Sequence, residues 1–289
     1  MGPERTRSIV ALVTDFGTRD PYAAAVKAVI AARCAATLID LTHEIAPGDL
    51  FEAAWFLRSI TPFLPGAGEA ETTELLTICM TVVDPGVGSD RRIVAARSGG
   101  VVHLAPDNGV LTFVIDDEAM VFSVENERLF LPSGSTTFHG RDRFAPVAAT
   151  LAGGMGLELL GPRIEASSLV HLPYEEAVYT TGSAAGQIVR VDRFGNVITD
   201  IDAKRCRSMG TPLATADSLE VTAHLREGRQ ARWSMIVRRS YEPMRGRPEP
   251  FVIVGSDGTV EISLAGSSAA EVLQMARFDR IELVASLRE

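Results

Sequence analysis

Two near-continuous apolar runs, Ile9-Val10-Ala11-Leu12-Val13 and Leu75-Leu76-Thr77-Ile78-Cys79-Met80-Thr81-Val82-Val83, constrain this chain most. A strand with one face in water alternates apolar and polar residues. A run without alternation is covered on both faces, as a parallel strand inside a layered sheet is. Each run also stops at an acid, the first at Thr14-Asp15-Phe16-Gly17 and the second at Asp84-Pro85-Gly86-Val87-Gly88. Helical segments fit between them. Pro21 suits a first turn, with Ala24, Val26, Ala28, Val29 and Ile30 carrying the helix to about Ala32. Thr37 to Leu41 reads as a short strand, and Asp49 caps a helix that shows Leu50, Ala53, Ala54, Leu57 and Ile60 on one face. Gly99-Gly100, between Ile93 to Ala96 and Val101 to Leu104, marks a hairpin. Arg143 to Leu151 reads as a helix.

After about Val178 the texture changes to short β-rich runs: Gln187 to Val191, Leu219 to Ala223, Ser234 to Val237, Phe251 to Val254, Val260 to Leu264 and Ile281 to Val284. That spacing predicts a small barrel or sandwich. The expected fold is therefore α/β: a layered N-terminal domain with a mostly parallel sheet over 1–177, and a smaller all-β barrel over 178–289. Ligands of such sheets sit beyond the carboxyl ends of the strands, where Asp15 and Asp84 lie.

Composition removes several classes. With 46% hydrophobic and 22% charged residues the 289-residue chain is an ordinary globular protein, and its net charge of −9 speaks against a nucleic-acid partner. No basic-then-apolar leader and no stretch of bilayer length is seen, so the expectation is a cytoplasmic protein with no membrane partner. Cys34, Cys79 and Cys206 are odd in number and widely spaced, which suits neither a disulfide framework nor structural zinc.

Arg91 follows Asp84 at a spacing of seven, and His139 stands in Phe138-His139-Gly140-Arg141-Asp142. Carboxylate, guanidinium and imidazole together can bind and activate a small nucleophile such as water. Separately, each has a plainer reading: a tight turn at Asp84, a solvated arginine, a hydrogen-bonded turn histidine. Asp15 reads equally as a cap for backbone donors and as an acid that accepts both hydroxyls of a ribose. His43 and His103 need no functional role, and a metal site from His43, Asp84 and His139 lacks any ligand pair at helix or hairpin spacing. In the second half, Asp192-Arg193-Phe194-Gly195-Asn196 is either a β-turn or a flat aromatic beside an amide. The latter would suit stacking on a nucleobase, with Tyr241 on its other face. Glu261 is most simply a solvent-facing strand residue.

In their order along the chain these residues resemble the SAM hydroxide adenosyltransferases, the hydrolase branch of the superfamily that includes the fluorinase and chlorinase. The markers are Thr14 to Gly17, His43 to Asp49, Asp84 to Arg91, Ala105 to Gly109, Phe138 to Pro146, Phe194-Gly195-Asn196 and Ser256 to Ile262, and the likeness runs from Ile9 to about Val284. The resemblance implies a seven-stranded α/β domain followed by a β-barrel, in a homotrimer whose active sites lie between subunits. It implies Asp84, Arg91 and His139 as the catalytic triad, Asp15 as the ribose acid and Asp20 as an acid near the methionine end. Asp192, Phe194, Asn196, Tyr241, Ser256, Glu261 and Gly266 become adenosine and methionine contacts, with no metal and no cofactor. One departure is Ala265, where family members often carry asparagine; adenine-edge contacts there fall to backbone, Ser267 or Ser268.

The implied reaction is hydrolysis of S-adenosyl-L-methionine to adenosine and L-methionine by in-line attack at ribose C5′. Halogenases place an aromatic or small residue at the position of Asp84 and a non-basic one at His139. A carboxylate facing the nucleophile repels a halide and accepts a hydrogen bond from water. His139 is expected to take the proton, because imidazole titrates near neutrality, and Arg91 to orient Asp84. The alternatives are a sensor that binds without turnover, a 5′-halogenase, and a metal-dependent hydrolase using His43 and His139.

Overall fold

The computed structural model describes residues 7–68, 75–132, 136–210, 216–242 and 248–285. It divides into two compact units, Met1–Pro173 and Tyr174–Glu289. Unit one runs β1 (Arg7–Thr14), α1 (Tyr22–Ala31), β2 (Thr37–Thr42), α2 (Leu50–Ile60), β3 (Leu75–Val82), β4 (Ile93–Ser98), β5 (Val101–Pro106), β6 (Met120–Ser123), α3 (Ala145–Ala152) and β7 (Arg163–Ile164). Its seven-stranded sheet has the order β2-β1-β3-β5-β4-β6-β7, parallel from β2 to β5 and antiparallel beyond.

The unbroken apolar runs are explained by cover on both faces. Val10 and Leu12 of β1 join Val26 and Ile30 of α1 and Ala148 and Leu151 of α3 in one core. Ala11 and Val13 face the other way, with Ala53 and Leu57 of α2. Asp49 caps α2 by accepting from Glu52 N at 2.9 Å. The hairpin between β4 and β5 turns on Gly99 and Gly100, at φ 54° and 83°, which only glycine adopts in succession without strain.

The chain leaves β1 for β2 on one side and returns to β3 on the other, so the switch point of the sheet lies between β1 and β3. Thr14 pairs with Val82 in that parallel register, so Asp15 and Asp84 emerge from neighbouring strands at one sheet edge.

Unit two runs β8 (Val178–Thr180), β9 (Ser183–Val191), β10 (Val197–Asp202), α4 (Ala203–Ser208), β11 (Ser218–His224), β12 (Gln230–Arg238), β13 (Phe251–Val254), β14 (Thr259–Ser263), α5 (Ala269–Leu273) and β15 (Arg280–Ala285). The order β10-β14-β13-β12-β11-β15-β9 is closed by pairing of β9 with β10, giving a seven-stranded barrel with β8 appended to β9. Val197, Val252 and Ile262 stand opposite one another and fill the interior with Ile188, Val221 and Leu283. The pleat therefore sends Ile198, Glu261 and Arg190, which also stand opposite one another, to the outer wall. No described helix is long and apolar enough to cross a membrane.

Candidate functional site

Asp84 follows the last residues of β3, and its strand end is propped by Asn108, whose amide donates to Val83 O at 3.0 Å. The intervening glycines bring Arg91 back onto it. Arg91 Nε donates to both carboxylate oxygens at 2.8 Å, and Nη2 closes a further ion pair with Oδ2. Both side chains are buried, at 4% exposure for Asp84 and 9% for Arg91. The same Nη2 lies 2.9 Å from His139 Nδ1. The three candidate catalytic residues thus form one cluster.

A guanidinium nitrogen only donates, so His139 accepts through Nδ1 and the neutral ring carries its hydrogen on Nε2. That runs against the simple expectation of His139 as proton acceptor, because the free lone pair is already engaged. Burial, with the Arg143 and Arg91 cations, holds His139 below the ordinary imidazole range, while Asp84 and Asp142 push it upward. Two buried donors of the cluster have no hydrogen-bond partner among the described residues: Arg91 Nη1 and His139 Nε2.

The sequence places His139 in a turn, whereas the structure gives it helical φ of −61° and starts a π-helical turn, Gly140–Phe144, that runs into α3. Such turns lack a strong sequence signal and recur at functional sites. Gly140 is needed for close approach, since a Cβ there would meet Phe16 Cζ at 3.0 Å. Phe16 and Phe138 pack edge to face at 5.7 Å and, with Asp15, Asp84 and His139, line a cavity of about 70 Å³. That is room for water or the edge of a larger molecule. Asp15 accepts from Gly48 N at 2.9 Å, so the capping reading holds for one of its oxygens. Asp20 is exposed in the turn before α1, outside that lining.

On the barrel, Asp192, Phe194, Asn196, Tyr241, Ser256, Glu261 and Gly266 all line one cavity of about 740 Å³, together with Arg190 and Ser267 among others. Asp192 and Asn196 hold each other: Asn196 N and Nδ2 each donate to the carboxylate at 2.9 Å, and Phe194 N donates at 2.8 Å. Phe194 is left 78% exposed at the tip. Gly195, at φ 80°, has no room for a side chain against Ser268.

Glu261 is only 8% exposed, not the solvent-facing residue expected of an alternating strand. Burial raises its carboxyl above the usual range, against the hydrogen bond from Tyr241 Oη at 3.0 Å. Ser268 caps α5 by accepting from Glu271 N, and with Ala265 and Ser267 it lines the same pocket, where its hydroxyl can still donate. Arg190 carries no sequence signal; its place opposite Ile198, across that residue from Glu261, is a product of barrel register alone. His43 is hydrogen-bonded to Thr14 and in ion-pair contact with Asp40, rather than placed against Asp84 or His139. No group of three potential metal ligands occurs among the described residues.

Fold and site define a two-unit protein with a buried Asp–Arg–His cluster at the switch point of an α/β sheet and an acid-lined pocket on a closed barrel. The chain belongs to the SAM hydroxide adenosyltransferase family, whose N-terminal domain matches residues 10–161 and whose C-terminal domain matches residues 186–282. It is 36% identical to the (R)-S-adenosyl-L-methionine hydrolase of Thermus thermophilus over 91% of this chain and 94% of that one. It is 33% identical to the enzyme of the same name from Salinispora tropica, over 96% and 97%. A fluorinase of Actinopolyspora mzabensis is more distant, at 26% over 74% of this chain and 78% of its own. Among solved structures, a conserved protein of Thermotoga maritima is similar with a TM-score of 0.79 and 32% identity, covering 95% of this chain and 99% of that one.

Proposed function

We propose that the protein hydrolyses S-adenosyl-L-methionine to adenosine and L-methionine, by in-line attack of water at ribose C5′ with the thioether of methionine as leaving group. The observation that carries this reading is the buried Asp84–Arg91–His139 cluster, whose Asp84 and His139 share a cavity wall with Asp15. The names of the relatives support the substrate, and they support the (R) sulfonium epimer in particular. The net charge of −9 suits attraction of a cationic substrate.

Each residue then has a task. The two unpartnered donors, Arg91 Nη1 and His139 Nε2, position the water by donating to one lone pair of its oxygen, and the other lone pair attacks C5′. As the C5′–O bond forms and the C5′–S bond breaks, the attacking oxygen becomes strongly acidic, so a carboxylate is a sufficient acceptor. Asp84 takes that proton and passes it to solvent. His139 works in the neutral form, since an imidazolium could not accept from Arg91. Asp15 binds the ribose hydroxyls with its free oxygen, and Asp20 serves the methionine end. The barrel pocket holds adenine against Phe194 and Asn196, with Asp192, Tyr241, Ser256, Glu261 and the backbone of Gly266 completing the contacts.

The working form is a cytoplasmic homotrimer, with each active site shared between subunits. The triad cavity belongs to the first unit and the barrel pocket to the second, and a site shared between subunits would draw on both. Incubation with either sulfonium epimer, followed by chromatography, tests the proposal. Release of adenosine and methionine supports it; tight binding without products identifies a sensor. A 5′-halo product in chloride or fluoride identifies a halogenase, and loss of activity with EDTA a metal enzyme.

A further inference from the structure

The loop from His43 to Asp49 touches both strand ends that carry the site. The ring of His43 is buried, at 4% side-chain exposure, and lies between two partners. Nε2 stands 3.1 Å from Asp40 Oδ1, and Nδ1 stands 2.8 Å from Thr14 Oγ1. The other oxygen of Asp40 meets Lys27 Nζ at 2.9 Å. Nε2 is in ion-pair contact with Asp40 without the geometry of a hydrogen bond, and the hydrogen bond of the ring is the one between Nδ1 and the Thr14 hydroxyl. The ring thus joins buried Thr14 to the half-exposed Asp40–Lys27 pair.

Thr14 is the last residue of β1, and its Oγ1 also accepts from Phe16 N at 3.3 Å. The backbone of His43 takes the other end of the same turn, with Gly17 N donating to His43 O at 2.7 Å. Ring and carbonyl thus grip the turn on either side of Asp15. Five residues on, Gly48 N donates to Asp15 Oδ2, and Gly48 rests against Pro85, the neighbour of Asp84.

We propose that His43 is a positioning residue: acting through Thr14, it fixes the Asp15 carboxylate relative to Asp84 and so sets where the ribose sits before the nucleophile. This rests on the assignment of Asp15 to the ribose. A histidine that only filled space here would not need the ring bond to Thr14.

The test uses the full chain with Thr14→Val, which keeps the shape and removes the hydroxyl, His43→Leu, the double variant, and Thr14→Ser. Loss of the link should raise KM for S-adenosyl-L-methionine, and Kd for adenosine, by about tenfold, the effect of one lost hydrogen bond, with kcat within about threefold. The double variant should be no worse than either single change, and Thr14→Ser should behave as the parent. In the absence of substrate, the amides of Gly17 and Gly48 should exchange faster in Thr14→Val and His43→Leu. Unchanged KM and unchanged exchange in folded variants overturn the proposal, as do losses that multiply in the double variant. If the parent protein releases no adenosine, the hydrolase reading fails by itself, and amide exchange at Gly17 and Gly48 still decides whether His43 holds Asp15.

Discussion

Replacing Asp84 by asparagine removes one charge and almost no volume, so it isolates the electrostatics of the cluster. Asp84 and Arg91 are buried against each other at 4% and 9% side-chain exposure. The variant leaves the guanidinium buried without its counter-charge. Breaking a buried pair in this way costs about 3–5 kcal/mol. For a domain of this size each kcal/mol moves Tm by about 2–4 °C, so calorimetry should show a fall of about 6–20 °C. Turnover should fall by about 10²–10⁴-fold, the range for losing a positioned acid–base group.

The pH profile carries a sign as well. Burial, Arg143 and Arg91 lower His139, while Asp84 is the leading influence in the other direction. Without Asp84 the ring is harder still to protonate. The acid limb of the residual activity, which reports the fraction of neutral His139, should then move to lower pH. Arg91→Met should move it the other way. Adenosine release followed from pH 5 to 9 reads both. An Asp84→Asn protein with parental Tm and turnover, or with its acid limb moved upward, refutes the electrostatic account of the cluster.

Mixing the Asp84→Asn protein with an Asn196→Ala protein, each strongly impaired alone, should raise adenosine release above either if sites are shared between subunits; no recovery after subunit exchange counts against the shared site. His103 is fully buried in β5 with neither ring nitrogen bonded among the described residues, and burial pushes it down from 6.5 to about 4. The folded chain then binds fewer protons than the unfolded one below pH 6.5, so this group's contribution is complete above that pH and is lost on acidification, by about 2 kcal/mol at pH 5. His103→Leu should remove that share, seen as a smaller Tm drop between pH 7.5 and pH 5; equal drops would exclude it. A Cβ at Gly255 would overlap the Glu261 carboxylate, so Gly255→Ala should weaken adenosine binding by about tenfold in an intact barrel, and unchanged calorimetric affinity would free Glu261 from that role.

What was legible in the sequence was whatever depends on neighbours along the chain. The unbroken runs of β1 and β3 announce strands covered on both sides, Asp49 announces the start of α2, and Gly99-Gly100 announces the hairpin. What was not legible depends on long-range register. Val197–Asp202 carries no clean alternation, because β10 is buried along most of both faces, and the strand is hidden beside the Asp192 turn. The π-helical turn at Gly140 packs closely against Phe16, far away in sequence. The bond from Arg91 to His139 Nδ1 spans 48 residues, and no spacing rule predicts it. Its consequence, a histidine whose acceptor nitrogen is taken, reassigns the proton from His139 to Asp84 in the proposed reaction.

The same geometry bears on why water and not halide would be the nucleophile. A halide entering a buried site gives up its hydration, and only a free cation compensates that loss. Arg91 is the cation of the cluster, but three of its contacts go to Asp84, so the pair offers little net charge to an incoming anion. Asp15 in the same cavity wall adds a further repulsion. Neutral water has a far smaller hydration to lose, and it finds both kinds of partner: N–H donors on Arg91 and His139 for its oxygen, and a carboxylate for its hydrogen. The carboxylates that repel halide also attract the sulfonium, so one set of charges serves both selection of the nucleophile and capture of the electrophile.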